Sequence, residues 1–252
     1  MCPCPLRGSR TPRVGANRRP SADATIAVAA NFADAAEALA ADFEPETGHQ
    51  LTFVIGSTGK LFAQIRRGAP FDILLAADQE RPARLIADGF ALADSRMTYA
   101  LGALTLWSAD AKRITGDGRT ALRRMDYRHL ALANPDLAPY GLAARQTLTA
   151  LELWSALQKR IVRGENVGQA FAMVASGNAE LGFVSRSALM SRARNSGQGS
   201  AWDVPQDLHE PIRQDVVLLG PGTNNPAAVA FLEFLASPAG RGIIRRFGYR
   251  TE

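Results

Sequence analysis

The 252 residues are 46% hydrophobic and 21% charged, a globular balance that excludes a disordered or fibrous chain and allows one large domain or two lobes. The formal charge of +5 has a local origin: residues 1–22 hold Arg7, Arg10, Arg13, Arg18 and Arg19 with no acid, and the rest balances 24 basic against 24 acidic residues. That neutral body has no basic stripe interleaved with aromatics, which speaks against a nucleic-acid surface.

Residues 1–23 read as a basic, Pro/Gly-rich tail without apolar periodicity, expected to be disordered and dispensable. Cys2 and Cys4 both lie in it, too close together for an unstrained disulfide. The body holds no cysteine, so neither a disulfide framework nor a cysteine metal site is open to it. From Met1 to Ser21 there is no apolar run of the kind a secretory signal needs, and nowhere does the chain approach the about 20 apolar residues of a membrane span. Either the protein stays inside, or its true start and export signal lie elsewhere.

From Ala24 onward strands and helices alternate in the way that implies parallel sheets with crossover helices. Thr25–Ala29 is a short apolar strand, and Phe32–Glu46 puts Ala36, Leu39, Ala40 and Phe43 on one helical face. Leu51–Ile55 is a strand followed by Gly56–Gly59 and a helix through Leu61, Phe62 and Ile65 that stops at Gly68. Phe71–Ala76 reads as a buried strand, and Asp78 as the cap of a helix reaching Ala87. Thr98–Trp107 is one long strand-like run, after which the pattern begins again. His129–Ala133 is a strand, Gly141–Ala150 and Glu152–Lys159 are helices, and a short strand near Ile161 leads to a Val167–Ser176 helix. Leu181–Ser185 is a strand, Arg192–Gly199 a loop and Ile212–Leu219 the last strand; helices over Asn225–Ala236 and Pro238–Phe247 end the chain.

Two α/β lobes follow, the second inserted in the first: a tail over 1–23, lobe 1 over 24–101 plus 216–252, and lobe 2 over 102–215. Strands near 98–107 and 212–219 would be the two crossings. Ligands of open α/β sheets sit beyond the strand C-termini, and four motifs fall at that edge, two per lobe. They are Ala29-Ala30-Asn31-Phe32, Gly56-Ser57-Thr58-Gly59, Pro139-Tyr140-Gly141 and Asn166-Val167-Gly168. Each opens a helix, whose first turn leaves N–H groups unpaired at the positive end of the dipole. With hardly any charge in the motifs themselves, four together point to a pocket for a small oxyanion.

Each motif also has a plainer reading. Asn31 suits an N-cap, with Asp34 completing a capping box. Gly56–Gly59 is neither a Walker loop nor a Gly-x-Ser-x-Gly nucleophile turn, and its hydroxyls offer donors to a close ligand. Lys60 either attracts an anion or is solvated in the first turn. Tyr140 either packs or aims its hydroxyl into the cleft, and Val167 can offer only its backbone N–H. His49, His129 and His209 are scattered, the carboxylates show no metal spacing, and Asp72, Asp78 and Asp88 read as structural. Trp107, Trp154 and Trp202 suit packing better than a binding cage.

These motifs, taken with Gly68-Ala69-Pro70-Phe71-Asp72, Ala76-Ala77-Asp78-Gln79, Asn134-Pro135 and Leu181-Gly182-Phe183-Val184, resemble the periplasmic molybdate-binding proteins of ABC transporters in order over roughly residues 24–250. The resemblance implies an α/β, two-lobed periplasmic-binding-protein type II fold that closes on its ligand. Carried over by motif, the ligand-binding residues would be Ala30, Asn31, Ser57, Thr58, Tyr140 and Val167, with side-chain donors from Asn31, Ser57, Thr58 and Tyr140 and a backbone one from Val167. Some relatives carry a hydroxyl where Ala30 stands, and others a tyrosine where Ser185 stands; here Tyr140 would supply the phenol. The implied protein is a periplasmic monomer, not an enzyme, without cofactor or resident metal ion, that hands molybdate and tungstate to an ABC permease. Two other readings are a cytoplasmic oxyanion-sensing domain, for which residues 1–23 are too short to hold a helix-turn-helix, and a binding protein for another tetrahedral oxyanion such as sulfate. A third, an enzyme acting through Ser57, needs a base that the sequence does not place.

Overall fold

The computed structural model describes residues 21–195 and 199–252, so the arginine-rich stretch with Cys2 and Cys4 lies outside the described residues. Ala22 and Asp23, assigned to the tail by sequence, belong to the folded body. Ala22 donates its N–H to His49 Nδ1 at 3.1 Å, and Asp23 opens the first strand.

In the first sheet β1 (Asp23–Ala29) runs parallel to β2 (Gln50–Gly56) and β3 (Ile73–Leu75). Two antiparallel strands complete it, β4 (Met97–Gly102) and, between β3 and β4, the late strand Ile212–Leu218. The second sheet repeats the plan. Leu104–Ser108 is β5, and Leu130–Ala133, Ile161–Gly164 and Leu181–Ser185 are β6, β7 and β8, mutually parallel in the order β7-β6-β8. Strand β5 lies antiparallel between β8 and β9 (Ser200–Asp203), and Ile212–Leu218 is then β10. Each parallel pair needs a crossover, which the helices supply. In lobe 1 these are α1 (Ala33–Thr47), α2 (Thr58–Arg66) and α3 (Glu80–Ala87). Lobe 2 has α4 (Gly118–Arg124), α5 (Pro139–Ala150), α6 (Trp154–Leu157), α7 (Val167–Ala175) and α8 (Arg186–Asn195), and α9 (Pro226–Ala236) and α10 (Pro238–Arg246) return to lobe 1.

The apolar run 98–107 is two strands rather than one. It breaks at Ala103, and β4 and β5 join different sheets. A continuous apolar pattern records burial but not which sheet buries it, so the first crossing is invisible in the sequence. The second crossing is the segment 204–211 ahead of β10, not the strand itself. The chain has therefore re-entered the first sheet by Ile212, opposite Gly102, upstream of the 215/216 boundary read from sequence. Two helix assignments also change. Glu152 takes a left-handed backbone with φ 60°, which confines the second helix of that pair to α6. The Arg192–Gly199 stretch stays helical through Asn195, because Arg and Ala continue α8 as good helix formers.

Lobe 1 packs α1, α9 and α10 over one face of its sheet, with Phe32, Leu39, Phe43 and Phe231 essentially free of solvent. Lobe 2 centres on Tyr127, Leu130, Leu132 and Phe183, and its cluster takes in Ala29 and Ala77 from lobe 1, so the lobes meet along the strand ends. Phe231 lies edge-on to Phe43 with ring centroids 5.5 Å apart. Truncation there leaves a cavity, so Phe231→Ala is expected to cost about 3–5 kcal/mol in urea unfolding; a loss below about 1 kcal/mol would show that lobe 1 is not held by this cluster.

Candidate functional site

The strands β1, β2, β6 and β7 deliver the four motifs to one place. Beyond β1 the chain makes a 3-10 turn over Ala30–Phe32. After β2, Ser57 stays extended (φ −74°, ψ 147°) and Thr58 begins α2. Pro139 opens α5, its fixed φ suited to the first helical position, so that Tyr140 falls in the first turn. Asn166 caps α7 by accepting the Gln169 N–H at 3.0 Å, and Val167 is the first helical residue. Ala30, Asn31, Ser57, Thr58, Tyr140 and Val167 all line one small, tightly closed cavity between the lobes. No residue lining it carries a formal charge.

The polar groups around this cavity differ in how far they are already used. Ser57 is 3% exposed, and its Oγ has no hydrogen-bond partner among the described residues. An orphaned buried hydroxyl is uncommon and costs about 1–3 kcal/mol. Thr58 Oγ1 accepts the Ala77 N–H at 3.0 Å and keeps its own proton to donate. Asn31 is not the cap expected from sequence. Its carboxamide donates to Gln214 Oε1 at 2.8 Å and to the Tyr249 hydroxyl at 3.0 Å, while its carbonyl accepts from Ser187 Oγ and Tyr249. The Tyr140 phenol runs toward the crossing, where Gln214 Nε2 donates to it at 3.4 Å. Gly102 makes room for it, since a Cβ there would stand 2.2 Å from the Tyr140 hydroxyl. Asn31, Tyr140 and Val167 each stand in a 3-10 turn or a first helical turn, where backbone N–H groups lack intrahelical acceptors. Burial drives the Tyr140 and Tyr99 phenols well above their ordinary pKa, so both stay neutral.

The lobes touch across the mouth. Gly59 donates its N–H to the Leu137 carbonyl at 2.9 Å, Arg81 Nη2 donates to the Asp136 carbonyl at 3.1 Å, and Lys60 pairs with Glu165 at 3.0 Å. Both partners of that ion pair are about half exposed, so it contributes about 0–1 kcal/mol. Lys60 is thus engaged with the opposite lobe. Sequence reasoning missed Gln214, Ser187 and Tyr249. The only signal was a polar Gln-Asp step inside the apolar β10 run, where the pairing with β4 is irregular.

Two α/β lobes joined by two crossings, with helix starts from both facing one closed cleft, define a solute-binding protein. Residues 24–250 match the family of bacterial extracellular solute-binding proteins, and the chain belongs to that family; it is a binding protein and not an enzyme. Over 226 residues it is 43% identical to the molybdate-binding protein ModA of Rhodobacter capsulatus, covering 90% of this chain and 87% of that one. It is 44% identical over 229 residues to ModA of Azotobacter vinelandii, covering 91% and 90%. The solved Azotobacter vinelandii periplasmic molybdate-binding protein matches with a TM-score of 0.87 at 39% identity, over 91% of this chain and 99% of that chain. The sulfate-binding protein SubI of Mycobacterium tuberculosis H37Rv, at 15% identity and a TM-score of 0.75 over 91% and 87%, shares the two-lobed periplasmic-binding-protein fold.

The lobes approach closely at Gly59. A Cβ there would lie 2.9 Å from the Leu137 carbonyl oxygen and 3.1 Å from Leu137 Cα, both backbone atoms of the other lobe. Gly59→Ala should therefore penalise the closed form by about 1–3 kcal/mol while sparing each lobe. Spin labels at the exposed positions Glu37 and Gln158 should lose population at the closed distance; an unchanged distance distribution would show that this contact does not govern closure.

Proposed function

We propose that this chain captures molybdate, and tungstate with it, in the interlobe cavity and delivers it to an ABC permease from the periplasmic side. It does so as a monomer, without a cofactor and without nucleic acid. The observation that carries the reading is Ser57: a buried hydroxyl without a partner, in an uncharged cavity where four helix starts converge. The molybdate-binding relatives supply the identity of the anion.

The chemistry follows from the donor set. A fully deprotonated tetrahedral dianion has acceptors only, so it fits N–H groups from Asn31, Tyr140 and Val167 together with the hydroxyls of Ser57 and Thr58. Charge-assisted hydrogen bonds of this kind are about twice as strong as neutral ones. Phosphate near neutral pH keeps a proton and would need an acceptor, and no carboxylate lines the cavity. Sulfate carries the same charge in a smaller frame, so its rejection has to come from the size of the closed cavity. The unpaired Ser57 Oγ also leaves a nucleophile without a base, which goes with capture rather than catalysis.

Titration calorimetry tests this on the purified chain. Molybdate should bind tightly and sulfate and phosphate far more weakly. Ser57→Ala should lose about 1.5–3 kcal/mol of molybdate binding, whereas Val167→Ala, which keeps its N–H, should stay within about 0.5 kcal/mol. Absence of heat with molybdate, or equal affinity for sulfate, would overturn the reading.

A further inference from the structure

One residue below the cavity touches both lobes' contributions to it. Gln214 is fully buried on β10, at the point where its pairing with β4 slips. Its Oε1 accepts from Asn31 Nδ2 at 2.8 Å and from the Tyr99 hydroxyl at 3.3 Å, both in lobe 1. Its Nε2 donates to the Tyr140 hydroxyl at 3.4 Å, in lobe 2. Asn31 belongs to the turn that presents N–H groups to the cavity from one side, and Tyr140 to the helix start that does so from the other.

We infer that Gln214 is a positioning residue for anion capture, its carboxamide holding the Asn31 turn and the Tyr140 helix start in register across the cleft. The inference rests on the reading of the cavity as an anion site. Only a carboxamide of this length offers an acceptor to Asn31 and a donor to Tyr140 at once; a carboxylate would accept from both and bring negative charge beneath an anion. Gly102 serves the same contact from the first crossing, since a Cβ there would stand 2.7 Å from Gln214 Nε2 as well as 2.2 Å from the Tyr140 hydroxyl. Both crossings thus meet at this one pair. The contact ties lobe 2 to lobe 1 in the closed arrangement, so its loss should speed release of the anion.

The test uses the full chain with sodium molybdate, by calorimetry and stopped-flow dissociation. Gln214→Met keeps the volume and removes both polar functions. It should raise the molybdate Kd tenfold or more, chiefly through faster dissociation, and Tyr140→Phe should add little in that background although it speeds dissociation severalfold alone. A folded Gln214→Met protein with the wild-type Kd and dissociation rate would overturn the inference and leave the function standing. If Gln214→Met does not fold, Tyr140→Phe decides: it keeps the helix-start N–H, so an unchanged dissociation rate overturns the inference. A wild-type chain that gives no heat with molybdate removes function and inference together.

Discussion

The unpaired N–H groups in the first turn of a helix constrain everything else in this molecule. They must find acceptors, and in most proteins water or a capping side chain supplies them. Here parallel strands place four helix starts at the carboxyl edges of two sheets, and the lobes bring those edges face to face. A bare anion is costly to remove from water. A site without cationic partners works only when many oriented dipoles surround the anion at once, so donors from a single lobe would not suffice. On the function proposed above, two facing lobes supply such a set of donors from both sides of the cavity.

That requirement explains the network beneath the cavity. Asn31, Tyr99, Tyr140, Ser187, Gln214 and Tyr249 are linked by hydrogen bonds through buried space where the crossings meet. Every member is neutral, and burial holds the phenols in their protonated form. A buried charge at this place would compete with the ligand; a chain of neutral dipoles can be fully satisfied and still fix the geometry. At the mouth the ion pair between the lobes, Lys60 with Glu165, is half solvated and weak; the buried carboxylate nearest the network, Asp215, is paired with Arg96.

Much of this was legible in the sequence. Alternating strand and helix patterns located most elements but not α4, α8 or β9, and the motifs around Asn31, Ser57, Tyr140 and Val167 converge in one cavity as their common place at strand ends implied. Local chemistry misled where partners come from far along the chain. Asn31 reads as a cap until Gln214, 183 positions away, takes its carboxamide. The Tyr140 phenol reads as a donor to the cleft until Gly102 and Gln214 draw it to the crossing. The break at Ala103 leaves no trace because both halves of the run are equally buried. What sequence periodicity cannot carry is which sheet a strand joins, and the residues that couple the lobes sit where that changes.

The central claim is that neutral donors from both lobes hold one anion between them. The most direct measurement is anomalous diffraction at the molybdenum edge from crystals grown with molybdate. The account predicts a single strong peak in the interlobe cavity, within hydrogen-bond reach of Ser57 Oγ and of N–H groups from Tyr140 and Val167 across the cleft. A peak held by one lobe alone, or coordinated by lysine or arginine side chains outside the cavity, would contradict it.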